Sequence, residues 1–143
     1  MLAVMEHLCY NAHMKWTVVY FEQEDTTQPA EVFEDALDIT NPQLSGKLLQ
    51  ITDALKYHGY RLGGGYIEKC HGYEGMWEIR VIFNGALGRE FFGFDKERIV
   101  LLHGYAKRTG QRASEYDFNK AFGYWKEYLR TRHISPIQEE DNG

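Results

Sequence analysis

The chain has 143 residues, 43% hydrophobic and 15% aromatic, with 21 Asp/Glu against 16 Lys/Arg for a net charge of −5. That length supports one core and not two, and the aromatic share excludes a disordered chain. No apolar run reaches the roughly 20 residues of a membrane helix, and residues 1–13 lack the basic start and apolar core of a secretory signal, so a cytoplasmic protein without membrane contact is expected.

The average charge conceals a split. Residues 1–65 carry −5, residues 66–133 carry +3, and residues 134–143 carry −3. The later, strand-rich half is thus basic on an acidic chain, as suits a phosphate or nucleic-acid face. Cys9 and Cys70 show no metal or redox spacing. Unpaired thiols suit a reducing compartment, and no metal or cofactor is expected.

In chain order, residues 1–13 have no clear period and read as an N-terminal extension, with a domain over 14–133. The β-branched and aromatic run Trp16, Thr17, Val18, Val19, Tyr20, Phe21 predicts a first strand. Pro29 opens a helix whose apolar positions are Val32, Phe33, Ala36 and Leu37. Asn41-Pro42 is an N-cap followed by proline at the first helical position, and Leu44, Leu48, Ile51 and Leu55 carry a second helix to Gly59. Their short connection predicts an antiparallel pair lying on one face of a sheet.

Gly63, Gly64 and Gly65 lack the Lys-Ser/Thr of a phosphate loop and read as a mobile connector to a short strand over 66–70 carrying Lys69. From 76 to 83 the pattern alternates, with Trp77, Ile79, Val81 and Phe83 on one side and Glu78, Arg80 and Ile82 on the other. Asn84-Gly85 supplies the positive-φ pair of a type I′ turn. With a two-residue loop, Phe83 pairs with Ala86 and Arg80 falls opposite Arg89. Two like charges side by side call for an anion between them, or for each arginine to turn to a carboxylate such as Glu78 or Glu90.

Residues 98–105 are apolar on both faces, as in a central strand. His103 there reads either as a satisfied core histidine or as an acid/base group. A three-residue loop at 95–97 sets it beside Arg89, and a two-residue loop sets Leu102 there. Residues 106–113 read as an exposed basic segment. Ser114 with Asp117 forms a loose capping box for a helix striped by Phe118, Ala121, Phe122, Trp125 and Leu129. Residues 134–143 form an acidic tail, expected to be disordered. The order β-α-α-β-β-β-α predicts an α+β fold: a largely antiparallel sheet, a helix pair on one face, and a C-terminal helix.

The block GMWEIRVIFNGALGREFFGFDKERIVLLHGYAKRTGQ resembles the RelE/HigB branch of type II toxin–antitoxin toxins, especially its phage-derived subgroup. The resemblance spans roughly residues 14–132. It implies the RelE-like fold and a metal-independent, ribosome-dependent endoribonuclease acting on messenger RNA. It also implies a helix-turn-helix antitoxin masking the active face in a toxin–antitoxin hetero-oligomer. Such cleavage needs a base for the 2′-hydroxyl, an acid for the departing 5′-oxygen, and cations at the phosphorus. By position, Arg80 and Arg89 match the strand arginines that would clamp the phosphate, with Lys69 assisting. Lys107 and Arg108 match the basic pair after the last strand. Arg112 lies in the same basic segment, and His103 or Tyr105 would supply the acid/base group. Gly88 stands where the family places an aromatic before the strand arginine, which implies weaker base stacking. Two alternatives accompany this reading: a non-catalytic toxin that binds gyrase, and an inactive prophage-type relative that only binds its antitoxin.

Overall fold

The computed structural model describes residues 14–132, and the expected extension 1–13 and acidic tail 134–143 lie outside them. Its elements are β1 (Thr17–Tyr20), α1 (Pro29–Thr40), α2 (Pro42–His58), a 3-10 turn (Gly59–Arg61), β2 (Ile67–Lys69), β3 (Met76–Phe83), β4 (Ala86–Asp95), β5 (Arg98–Arg108) and α3 (Glu115–Thr131). The strands form one sheet in the order β1-β5-β4-β3-β2. All neighbours are antiparallel except β1 and β5. This is the α+β architecture expected from the sequence.

Local chemistry fixes the joints. Asn41 alone separates the first two helices: its N–H donates to Leu37 O at 2.7 Å, and its side chain accepts from Leu44 N at 3.2 Å. One residue therefore ends α1 and caps α2, with Pro42 where no N–H is needed. Asn84 and Gly85 take φ of 50° and 82°, and Phe83 pairs with Ala86 as the two-residue turn requires.

The sheet is covered on both faces. On one, Leu37, Leu44, Leu48 and Leu55 of the helix pair pack on Ile79, Phe92, Ile99 and Leu101. On the other, Ala121, Trp125 and Tyr128 of α3 pack on Val19, Phe91, Val100 and Leu102. Trp125 comes so close to β4 that a Cβ at Gly93 would lie 2.5 Å from its ring. The C-terminal helix thus takes the face opposite the helix pair.

The hairpin between β4 and β5 has two loop residues, since Asp95 pairs with Arg98. Further along, Phe92 pairs with Leu101 but Phe91 pairs with His103, leaving Leu102 as the extra residue of a β-bulge. Counting in twos from Val100 would bring Leu102, Gly104 and Ala106 to the α3 face. The bulge instead presents His103, Tyr105 and Lys107 there, while Gly104 backs onto Phe33 of α1, 2.3 Å from where a Cβ would sit. Neither loop length considered from the sequence foresees this: the partner of Arg89 is Tyr105, not His103 or Leu102.

Candidate functional site

Three rungs cross the α3 face. The central one is Arg80–Arg89–Tyr105, flanked by Glu78–Phe91–His103 and by Ile82–Leu87–Lys107. Arg80 does fall opposite Arg89, but no external anion is required. Arg89 turns to Glu78, its Nε 2.7 Å from Oε1, and Arg80 reaches Glu68 at 3.3 Å. The Arg89–Glu78 approach lies off the line of the N–H bond, so it is a charge contact and not a hydrogen bond. Burial raises the Glu78 carboxyl above its ordinary range, against the lowering fields of Arg89 and Arg80.

Arg89 is 8% exposed, with the rings of Phe118 and Tyr105 at 5.2 and 5.8 Å from its guanidinium carbon. Its Nη1 donates to Tyr105 Oη at 3.2 Å, and Ser114 N–H donates to the same oxygen at 3.1 Å. The phenol oxygen is thus held by two donors, and its own proton is left to donate outward. Aromatic contact around Arg89 comes from Tyr105 and Phe118. Gly88 faces the helix pair, where a Cβ would meet Leu44 at 3.2 Å, so an aromatic there would not reach the arginine face.

His103 Nε2 lies 2.7 Å from Asp117 Oδ1, and Ser114 Oγ donates to Asp117 Oδ2 at 2.5 Å. Ser114 also caps α3 by accepting from Asp117 N at 3.2 Å. The capping box is therefore tied into the site: its carboxylate holds the histidine, and its first N–H holds the tyrosine. The His103 ring runs parallel to Phe91 at 6.3 Å and is half-buried, which fits a satisfied histidine and a positioned one alike. Lys107, half-buried, donates its Nζ to Gln111 O.

Five of the eight candidate residues thus share one face: Arg80, Arg89, His103, Tyr105 and Lys107. Three do not join them. Lys69 pairs with Trp77 and lies over its ring at 5.6 Å, on the helix-pair side. Arg108 follows Lys107 in the strand and pairs with Ala86, so it alternates to that same side. Arg112 lies exposed in the turn before α3. The expected basic segment divides accordingly, since 106–108 continue β5. In the sequence Asp117 and Ser114 read as caps alone, and no local pattern seats Phe118 over Arg89. Cys70 is buried, and burial first, then Glu78, pushes its thiol up to about 12.

A second buried acid lies one residue from Arg89, on the opposite face. Glu90 is 0% exposed, between Ile79 and Gly104, with Glu34 of α1 beside it. Tyr20 donates its hydroxyl to Glu34 Oε1. As carboxylates, Glu90 and Glu34 could offer each other no donor, and neither Glu90 oxygen then has a partner. Burial first, then Glu34, raises Glu90 well above the usual carboxyl range. The pair is consistent with one shared proton, which Glu90 donates to Glu34.

Among the described residues no group of three His, Cys, Asp or Glu side chains is arranged to hold a metal ion, and no helix is long and apolar enough to cross a membrane. The model of a family described as Phage derived protein Gp49-like matches residues 35–126. That span covers most of the chain, including β2 to β5 and all eight candidate residues. A search of curated proteins finds none that matches.

Proposed function

The chain belongs to the phage-derived Gp49-like family, within the RelE/ParE-like toxins, and on that premise we propose that it is the toxin of a type II toxin–antitoxin pair of HigB type. In this reading it cuts messenger RNA on the ribosome without a metal and is silenced by a helix-turn-helix antitoxin covering the α3-side face. The supporting observation is the rung Arg80–Arg89–Tyr105 flanked by His103 and Lys107.

Each group has a role that its surroundings suit. Arg80, 41% exposed at its side chain, and Lys107 bind non-bridging phosphate oxygens and offset the charge that builds on them. His103, oriented by Asp117, takes the proton of the 2′-hydroxyl as that oxygen attacks phosphorus. The P–O5′ bond breaks as Tyr105 O–H gives its proton to the leaving oxygen, leaving a 2′,3′-cyclic phosphate. Arg89 acts from beneath: it positions the Tyr105 oxygen and adds a fixed positive charge, with its access to RNA limited by Phe118.

One observation favours a non-catalytic alternative, in which the toxin inhibits by binding: Arg89 is buried and already neutralised by Glu78. Induced expression in a bacterial host separates the two. Wild type is expected to arrest growth and create new messenger RNA ends in translated frames. Tyr105→Phe keeps the ring over Arg89 but lacks the proton, and is expected to lower cleavage about 10²-fold. Arrest that persists in Tyr105→Phe and Arg80→Ala with intact messenger RNA would establish the binding toxin instead.

A further inference from the structure

The edge of the sheet beyond β2 carries a feature that the cleavage site does not use. β2 pairs with β3 only as far as Ile67 and Ile79, and the last tie is Arg80 N–H to Tyr66 O at 2.9 Å. Gly64 and Gly65, at φ of 89° and 76°, then turn the chain away, and β3 continues to Phe83 along an open edge. Alternate residues of an antiparallel strand face the same neighbour. Because Arg80 N–H points to the β2 side, the N–H and C=O of Ile82 point there too, into a groove of about 370 Å³ between this edge and α2.

The groove differs from three other clefts in having no carboxylate in its lining. Its charged lining residues are Lys47 and Arg80, and no carboxylate lines it. The cleft between the helices is lined by Glu34, Asp35 and Asp38, and two near the β4–β5 turn mix Glu97 with cations such as Arg61 or Arg98. On a chain of net charge −5 this is a locally cationic channel. At its mouth stands Tyr66, 46% exposed, its ring laid against Gly64, where a Cβ would come within 2.6 Å of it. The ring is thus braced by the glycine and half exposed at the groove. Arg80 belongs both to this groove and to the central rung, so the two surfaces are continuous. Its partner Glu68 is 56% exposed, and such a pair yields readily to a phosphate.

We infer that this groove is a subsite for a nucleotide of single-stranded RNA flanking the one that is cut. The inference rests on the nuclease reading above for its substrate. Lys47 holds the flanking phosphate, Tyr66 stacks the base, and the Ile82 backbone edge offers one donor and one acceptor to that base. Arg80 spans the flanking and scissile phosphates. A cationic groove with an aromatic platform is the usual means of holding single strands without strict sequence choice.

The test is binding of a fluorescein-labelled, single-stranded 2′-deoxy hexanucleotide, which cannot be cut, to the full chain, read by anisotropy across salt concentrations. Lys47→Ala is expected to weaken binding about fivefold and to lower the salt slope by about 0.7. Tyr66→Ala weakens it about fivefold or more, whereas Tyr66→Phe binds as wild type. Lys126→Ala, on α3, serves as the control and leaves affinity unchanged. Both positions are exposed, so the variants fold. Binding that is absent in wild type, or equal in wild type, Lys47→Ala and Tyr66→Ala, overturns the subsite. So does a protein occupant, seen if Ile82→Pro abolishes antitoxin binding while the first two variants bind the oligonucleotide normally. Messenger RNA cleavage, mapped separately, keeps the two readings apart: weakened binding in the variants of a chain that cuts nothing retains the subsite and removes the nuclease.

Discussion

Arg89 and Glu90 are chain neighbours, and they show two ways of burying charge on the two faces of one sheet. On the α3 face, Glu78 and Arg89 offset each other, supplemented by the Tyr105 oxygen and the Phe118 ring. On the helix-pair face no cation among the described residues pairs with Glu90, and the environment favours its neutral form. The first arrangement holds a paired charge beneath Tyr105 and Phe118. The second favours an uncharged acid at the buried seam between α1 and the sheet.

The largest effect expected from breaking this contrast is Arg89→Met. It leaves Glu78 buried without its cation and is expected to cost about 3–5 kcal/mol in chemical denaturation. Adding Glu78→Leu should recover most of the loss, and failure to do so would show that the pair is not the origin of the cost. On the other face the sign reverses. Glu90→Met removes a group that resists ionisation, and should raise stability at pH 8 by about 1–3 kcal/mol. Its pH dependence follows from the raised carboxyl. Above about pH 4.3 the unfolded chain releases this proton while the native state retains it, so native stability falls as pH rises until the native group titrates too. Glu90→Gln should therefore gain on wild type steadily from pH 4 upward. An unchanging gap would mean that Glu90 is not held neutral.

Ser114→Ala tests the joint between helix and site. It loses the α3 cap and the hydroxyl on Asp117, for about 1 kcal/mol, and frees His103 to reorient, visible as changed imidazole chemical shifts by NMR at fixed pH. The smallest stability change belongs to the exposed pair: Arg80→Ala or Glu68→Ala should stay within about 0.5 kcal/mol in thermal denaturation. Arg80→Ala nevertheless removes toxicity if Arg80 clamps phosphate, so stability and function separate most cleanly at this residue.

What was legible in the sequence is what is decided locally. Asn41-Pro42, Asn84-Gly85 and Ser114 each carry their turn or cap within four residues, and each fulfils it. The facing of Arg80 and Arg89 followed from the turn by counting in twos. Counting fails in β5, because nothing near Leu102 marks a bulge, and so Tyr105 rather than His103 or Leu102 meets Arg89. Lys69 lies on the helix-pair side, away from the arginines, for a similar reason. A three-residue strand has no pattern of its own, and its facing is inherited from the tight 70–76 connection, closed by Cys70 N to Met76 O at 2.9 Å. The Glu34–Glu90 contact joins helix to sheet across a long separation, and neither residue type announces it.

The bulge also acts as a parity bit. The strand is a binary string of inward and outward positions, and Leu102 is one digit inserted into it. Deleting Leu102 alone would leave His103, Tyr105 and Lys107 where they are, on a straighter strand. Deleting a residue of the 96–97 turn, one position in the same chain, would have no such immunity, because every pairing downstream would have to be renegotiated. A deletion scan is therefore expected to keep the downstream pairing when Leu102 is removed, at the cost of the core volume that it fills against α3, and to lose that pairing when a turn residue is removed.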